Sequence, residues 1–283
     1  MSRLDYLDAN GLRFAYLTEG QGPLVVLLHG FPDSAHTWSH AMPALARAGY
    51  RTIAPFMRGY APTAIPADGK YDSDTLGADV LAILSALGVG RAIVVGHDWG
   101  ASAAYSAAAL APERVRLLVV SGTPHPRSIR PVPTTVWRLR HFAPLSRPGA
   151  AKKIRAGNLM YIDALWRRWS PTWRDIPPSE TAGAKAALRE PGHLEAACAY
   201  YADISPMKLP ASHKPNIAVP TVAFAGEQDV FPPRAYEKAR TCFDASYEVV
   251  QVPGGHFAHR EHPDTFTSEL VRVVKEHDAR SAK

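Results

Sequence analysis

The chain has only two cysteines, Cys198 and Cys242, among 283 residues. They lie far apart in helix-like contexts, which argues against a disulfide framework or a cysteine-rich metal site and leaves two reduced thiols. Apolar runs are short, none approaching the roughly 18 residues of a membrane span. The first twenty residues carry Arg3, Asp5 and Asp8 and no sustained apolar stretch of the kind a secretory leader needs. A cytoplasmic protein with no membrane partner is expected. No internal repeat or low-complexity tract is present. Carboxylates are somewhat scarcer than basic groups, 26 against 32, for a formal charge of +6. The signs are mixed along most of the chain, with a local basic excess only between Arg127 and Arg174, so no nucleic-acid partner is expected. The most informative absence is a motif. Gly-x-Ser-x-Gly occurs nowhere, which excludes serine acyl transfer from a strand-to-helix elbow.

The backbone pattern of that elbow is nevertheless present. Ile93-Val94-Val95 reads as a buried strand and Ala101 to Tyr105 as a helix, with Gly96-His97-Asp98-Trp99-Gly100 between them. Flanking glycines permit a sharp turn and close helix packing, which pushes the central side chain, Asp98, out at the carboxyl edge of the sheet. A carboxylate there can displace at carbon and form an ester of its own. Taken alone, the motif reads equally well as a tight turn with an aspartate helix cap.

The rest of the chain alternates strands and helices. Leu4 to Leu7 and Leu12 to Tyr16 form a hairpin about Asn10-Gly11, and Leu24 to Leu28 is a strand covered on both faces. Helices are expected over Ser34 to Ala48 and Asp74 to Leu87, and further strands over Arg51 to Pro55 and Val115 to Val120. From Pro124 to Pro215 the pattern changes to helical stretches rich in Arg, Trp and Tyr, among them Ala150 to Arg168 and Glu190 to Ala202. Alternation resumes with a strand from Val219 to Ala225, a helix from Pro232 to Ala239, a strand from Tyr247 to Val252 and a helix from Pro263 to Glu276. A fraying tail from Ala279 is expected. The fold class is therefore α/β, a mostly parallel sheet with helices on both faces. Its core is expected at residues 1–126 and 212–283, with a helical insertion, a lid, at 127–211.

Three chemistry-bearing features fall at carboxyl ends of strands, where open α/β sheets carry their ligand sites. They are Asp98, Gly226-Glu227-Gln228-Asp229, and Gly254-Gly255-His256-Phe257. Nucleophile, acid and base in that chain order form a triad by role, with Glu227 the rival of Asp229 for the acid. Separately, His256 would pass for a surface histidine and Asp229 for a helix cap.

Together with His29-Gly30-Phe31-Pro32, these motifs resemble the epoxide hydrolase branch of the α/β-hydrolases, over almost the whole chain. The resemblance implies an oxyanion hole from the N–H groups of Phe31 and Trp99 and a cis Phe31–Pro32 bond. It implies no cofactor and no metal; the partners are water and a small apolar epoxide, opened to a vicinal diol. Oligomeric state is not implied. Asp98 would form an alkyl ester, and His256, oriented by Asp229, would activate the water that hydrolyses it. Tyr200-Tyr201-Ala202 resembles the second lid tyrosine motif, with Tyr201 at the ring-opening position. A first lid tyrosine is missing from Val136 to Phe142, where Trp137 and His141 stand, and Tyr161 and His141 are the candidates for a second lid donor. Phe56, where the family often has an acid, and Asp203, where it usually has arginine, depart from the pattern. Trp137, Trp166 and Trp169 are expected to line the pocket. A haloalkane dehalogenase would share the nucleophile, but it generally needs a donor side chain where Phe31 stands. A fluoroacetate-type dehalogenase usually has arginine in place of Trp99. A non-catalytic ligand-binding homologue would have no use for Asp98, Asp229 and His256 together.

Overall fold

A computed structural model describes residues 2–202 and 209–281. Asp203 lies outside the described residues. Eight strands, β1 (Arg3–Ala9), β2 (Leu12–Glu19), β3 (Leu24–Leu28), β4 (Arg51–Pro55), β5 (Ala92–His97), β6 (Val115–Ser121), β7 (Thr221–Gly226) and β8 (Tyr247–Val252), form one sheet in the order β1-β2-β4-β3-β5-β6-β7-β8. The hairpin β1–β2 is antiparallel and joins β4 antiparallel; every pairing from β4 to β8 is parallel. Strands β3 and β5 are buried along their whole length, as their unbroken apolar runs require. The chain order reverses between them, since β3 is flanked by β4 on one side and β5 on the other. That switch opens a crevice at their carboxyl ends.

The helices are α1 (Ala41–Arg47), α2 (Ser73–Ala86), α3 (Trp99–Leu110), α4 (Pro133–Arg138), α5 (Phe142–Leu145), α6 (Ala150–Ala156), α7 (Met160–Trp169), α8 (Pro178–Arg189), α9 (His193–Ala199), α10 (Pro233–Lys238), α11 (Ala258–Glu261) and α12 (Pro263–Ser281). Six of them, α4 to α9, fall between β6 and β7, with no strand among the described residues there. None is long and apolar enough to cross a membrane among the described residues.

Local chemistry explains where the elements depart from expectation. The helix expected from Ser34 begins as a 3-10 turn, Ala35–Ser39, and restarts as α1. Pro43, which has no N–H, fits the first turn of α1 but not the middle of a longer helix. The stretch from Ala150 to Arg168 is two helices. Asn158 and Leu159 take positive φ, 50° and 62°, and this turn drops Leu159 into the core at 2% exposure. Pro191-Gly192, with Gly192 at φ 82°, delays α9 to His193. The last helix continues to Ser281, past the end expected at Glu276. Phe31–Pro32 is cis as expected, and Ala61–Pro62 is a second cis bond that was not foreseen.

Candidate active site

Asp98 sits directly after β5 with φ 55° and ψ −115°, a backbone conformation that non-glycine residues rarely adopt. Its N–H is held by the Ser121 carbonyl at the end of β6, at 3.0 Å, while its own carbonyl accepts from Ala101 N at 3.0 Å as α3 begins. The flanking glycines are required by space. A Cβ on Gly96 would overlap the Gly100 carbonyl, and one on Gly100 would overlap the carbonyls of Leu28 and His29. Gly100→Ala is therefore expected to cost about 1–3 kcal/mol, the usual range for overpacking. Thermal denaturation checks this, and an unchanged melting temperature would mean that α3 yields without cost.

The Asp98 carboxylate is held at both oxygens. Oδ1 accepts from the Phe31 N–H at 2.8 Å, and Oδ2 lies 3.6 Å from His256 Nε2. Trp99 is the first residue of α3, so its N–H has no intrahelical acceptor. Burial acts to raise the Asp98 pKa, but His256 and the Phe31 N–H outweigh it and keep the group below the ordinary carboxylate value. Asp98 is thus ionised at neutral pH.

His256 Nδ1 pairs with Asp229 Oδ1 at 2.8 Å, which fixes the tautomer and directs Nε2 at Asp98. Nε2 makes no hydrogen bond among the described residues. Burial alone would depress its pKa; the carboxylates of Asp229 and Asp98 on either side reverse the sign and raise it to about 10. The Glu227 side chain is exposed and accepts from Gln228 Nε2 at 3.5 Å, so the structure brings Asp229 and not Glu227 to the histidine. The His256 N–H donates to the Trp169 carbonyl at 2.8 Å. Gly255 is glycine because the Trp169–Ser170 backbone crosses where its Cβ would be.

The insertion covers this cluster with aromatic rings. Tyr201 is buried, and its ring meets those of Phe31 at 5.4 Å, Trp99 at 5.3 Å, Phe142 at 5.1 Å and His141 at 6.1 Å, each edge-on. Burial, followed by the Asp98 charge, pushes its hydroxyl well above the usual value, partly offset by a hydrogen bond from the Trp99 side chain. The phenol therefore keeps its proton. His141 packs against Trp169 at 4.6 Å and is driven to about 4 by burial, so it is neutral, and its Nδ1 has no partner among the described residues. Tyr161 is half-buried and makes no ring contact with Tyr201 among the described residues. Of the two candidates for a second lid donor, His141 packs against the Trp169 and Tyr201 rings, while Tyr161 is near enough to Tyr201 to help raise its pKa.

The three tryptophans separate. Trp169 lies 5.1 Å from the His256 ring; Trp166 is stacked on Phe257 at 3.8 Å with its N–H on the Pro32 carbonyl at 3.0 Å; Trp137 is 64% exposed. Only Trp169 lines the catalytic cluster. Sequence reasoning missed His97, whose Nε2–H donates to the His256 carbonyl at 2.8 Å. Burial, then the neighbouring His256, brings it to about 3, so it is a neutral support for the loop that carries His256. Its place next to Asp98, facing the adjacent strand end, was the available signal.

The family model of the α/β hydrolase fold matches residues 23–263, and the chain belongs to that family. Within it, the similarity is to epoxide hydrolases. A stretch of 111 residues, 39% of this chain, is 43% identical to an epoxide hydrolase of Caballeronia sordidicola, over 34% of that protein. The chain thus spans about a third of the length of this relative. Epoxide hydrolase 4 of Mus musculus is 27% identical over 96% of this chain and 79% of its own. The solved structure of epoxide hydrolase A from Mycobacterium thermoresistibile has a TM-score of 0.79 at 27% identity, covering 97% of this chain and 98% of its own.

Proposed function

We propose that this protein is an epoxide hydrolase that opens an epoxide to a vicinal diol through an ester on Asp98, under a lid formed by α4 to α9. The observation that carries the reading is an ionised aspartate at the elbow, 3.6 Å from a histidine that a second carboxylate orients. In the first step an Asp98 oxygen attacks one oxirane carbon, the C–O bond breaks, and the oxygen takes the Tyr201 proton. Esterification removes the Asp98 charge, and with it one of the two causes that hold His256 protonated. The imidazolium then releases its proton, balancing the one lost by Tyr201. Neutral His256 Nε2 takes a proton from water as the water attacks the ester carbonyl, and the Phe31 and Trp99 N–H groups receive the oxyanion. Collapse breaks the ester C–O bond, the departing alkoxide takes the proton of the new carboxyl group, and the diol leaves with Asp98 ionised and His256 protonated as at the start.

Halide release from the same nucleophile would need a second N–H donor beside Trp99. Phe31 offers none from its side chain and the Trp166 N–H is committed to Pro32; the buried Trp169 N–H beside His256 has no partner among the described residues, so the epoxide reading rests on Tyr201 and an assay decides between the two reactions. A panel scoring diol formation from aryl and alkyl epoxides against halide release from haloalkanes tests the assignment; halide release alone would overturn it.

Tyr201→Phe keeps the ring packing and removes only the proton donor. Ester formation should slow by at least roughly 10-fold, in line with losing one acid or electrostatic donor. Pre-steady-state alkylation measures this, and an unchanged rate would make Tyr201 a packing residue. The loss falls short of complete if His141 shares the oxygen.

A further inference from the structure

Between Arg127 and Arg174 the chain carries eleven basic residues and a single carboxylate, Asp163. The chemistry above uses none of them. Asp163 is itself engaged, by Lys185 at 2.5 Å and by the Thr181 hydroxyl at 2.7 Å. Among the described residues no carboxylate pairs with Arg130, Arg140, Arg147, Lys152, Lys153 or Arg174, and all six are exposed. By contrast, Arg272 on α12 holds Glu269 and Glu276, each at 2.9 Å. The insertion thus turns a set of uncompensated cations to solvent.

The same segment presents the most exposed large apolar side chains among the described residues, Trp137 and Met160 at 64% and Val136 at 59%. Three of these apolar groups gather on α4. The Val136 N–H donates to the Val132 carbonyl at 3.0 Å, so Val132 and Val136 stand one turn apart on one face, with Trp137 next to them. Arg130 precedes the group, its carbonyl accepting from the Val132 N–H at 2.8 Å. Arg140 closes it, lying over the Trp137 ring 3.9 Å from the centroid with Nη1 on the Trp137 carbonyl at 2.8 Å. The turn from Glu227 to Val230 borders this surface beside Trp137 and Arg138; there Asp229 is buried on His256, and Glu227 is the exposed acid.

An exposed apolar group rimmed by charge of one sign marks a contact surface, and its chemistry selects the partner. A nucleic acid would use the arginines and leave the valines in water. A bilayer uses both. Tryptophan and aliphatic side chains settle between headgroups and acyl chains, while the long arginine stems keep their guanidinium groups among the phosphates. Anionic headgroups supply the counter-charge that the insertion lacks.

We propose that this face, Val132, Val136 and Trp137 between Arg130 and Arg140, docks peripherally on an anionic lipid bilayer. Peripheral seating needs no spanning run, and it departs from the expectation of no membrane partner. It is independent of the reaction at Asp98. The test is sedimentation of the whole chain with vesicles of phosphatidylcholine alone and of phosphatidylcholine mixed with phosphatidylglycerol. The mixed vesicles should be bound at least about 10-fold more tightly, because each exposed cation at the surface adds to the attraction. Brominated acyl chains should quench part of the tryptophan fluorescence. Trp137→Phe should keep binding and lose that quenching, since the other five tryptophans are buried or half-buried.

Trp137→Ser, and separately the double variant Arg130→Glu with Arg140→Glu, should each weaken binding to mixed vesicles by at least about 10-fold. Melting temperatures should stay at the wild-type value, because these side chains are exposed. Val132→Ser with Val136→Ser replaces Trp137→Ser if that variant melts early. Failure to bind, binding that the serine variants leave intact, or quenching that persists in Trp137→Phe would overturn the proposal. A DNA duplex bound as tightly as the mixed vesicles, with or without Trp137, would mark a general polyanion surface and overturn it as well.

Discussion

Asp98→Ala should eliminate diol formation, by on the order of 10⁴-fold or more, the scale seen when a nucleophile is removed from a unit that acts together. The protein should still fold, because the carboxylate contributes one hydrogen bond, from Phe31, and no packing of the core. A second readout separates lost chemistry from lost structure. Asp98 is one of the two carboxylates that raise His256 to about 10, so its removal should move the imidazole titration to lower pH. Proton NMR of the His256 ring checks this. Single-turnover reaction of the intact protein in heavy-oxygen water should in turn label the Asp98 carboxylate, because water attacks its carbonyl carbon. Label found only in the diol would mean direct attack of water on the epoxide and would sink the ester mechanism.

His256→Gln should divide the reaction in two. Overall turnover should fall by at least roughly 100-fold, the loss typical of a missing general base, while the alkylation step is largely kept. Intact-mass measurement should then show the protein accumulating with one substrate added. No adduct from a substrate that the wild type turns over would disprove this division. The pH dependence of ester hydrolysis in the wild type has a defined sign. On the proposed mechanism the base form of His256 is the active one, so the hydrolysis rate should climb with pH. Its midpoint should lie below about 10, since the esterified Asp98 no longer contributes its charge.

The core was legible because its signals are local. Unbroken apolar runs specified β3 and β5, and the glycine pairs around Asp98 and before His256 mark places where another backbone passes too close for a side chain. The chain order of the motifs favours Asp229 over Glu227, and the turn after β7 buries Asp229 and exposes Glu227. The insertion was harder to read. Its helices are short, and their ends depend on tertiary demands such as the burial of Leu159, which no periodicity announces. For the same reason, Trp137, Trp166 and Trp169 were indistinguishable by type, yet they occupy solvent, the insertion–core interface and the catalytic cluster. His141 and Tyr161 could be separated only by three-dimensional packing.

The chain leaves the sheet after β6 and re-enters at β7, while Phe31, Asp98, Asp229 and His256 all follow strands outside that excursion. On the proposed mechanism, the nucleophile and the machinery of ester hydrolysis belong to the sheet scaffold, and the proton donor for ring opening, Tyr201, to the segment between β6 and β7. Recombination that swaps this segment would change which electrophile is accepted without rebuilding the hydrolytic half. One seam limits such exchange. The Trp169 carbonyl receives the His256 N–H, and Gly255 leaves room for that crossing. Any donor segment must therefore bring a backbone carbonyl to the same point, or the general base loses its footing even though no catalytic residue has been touched.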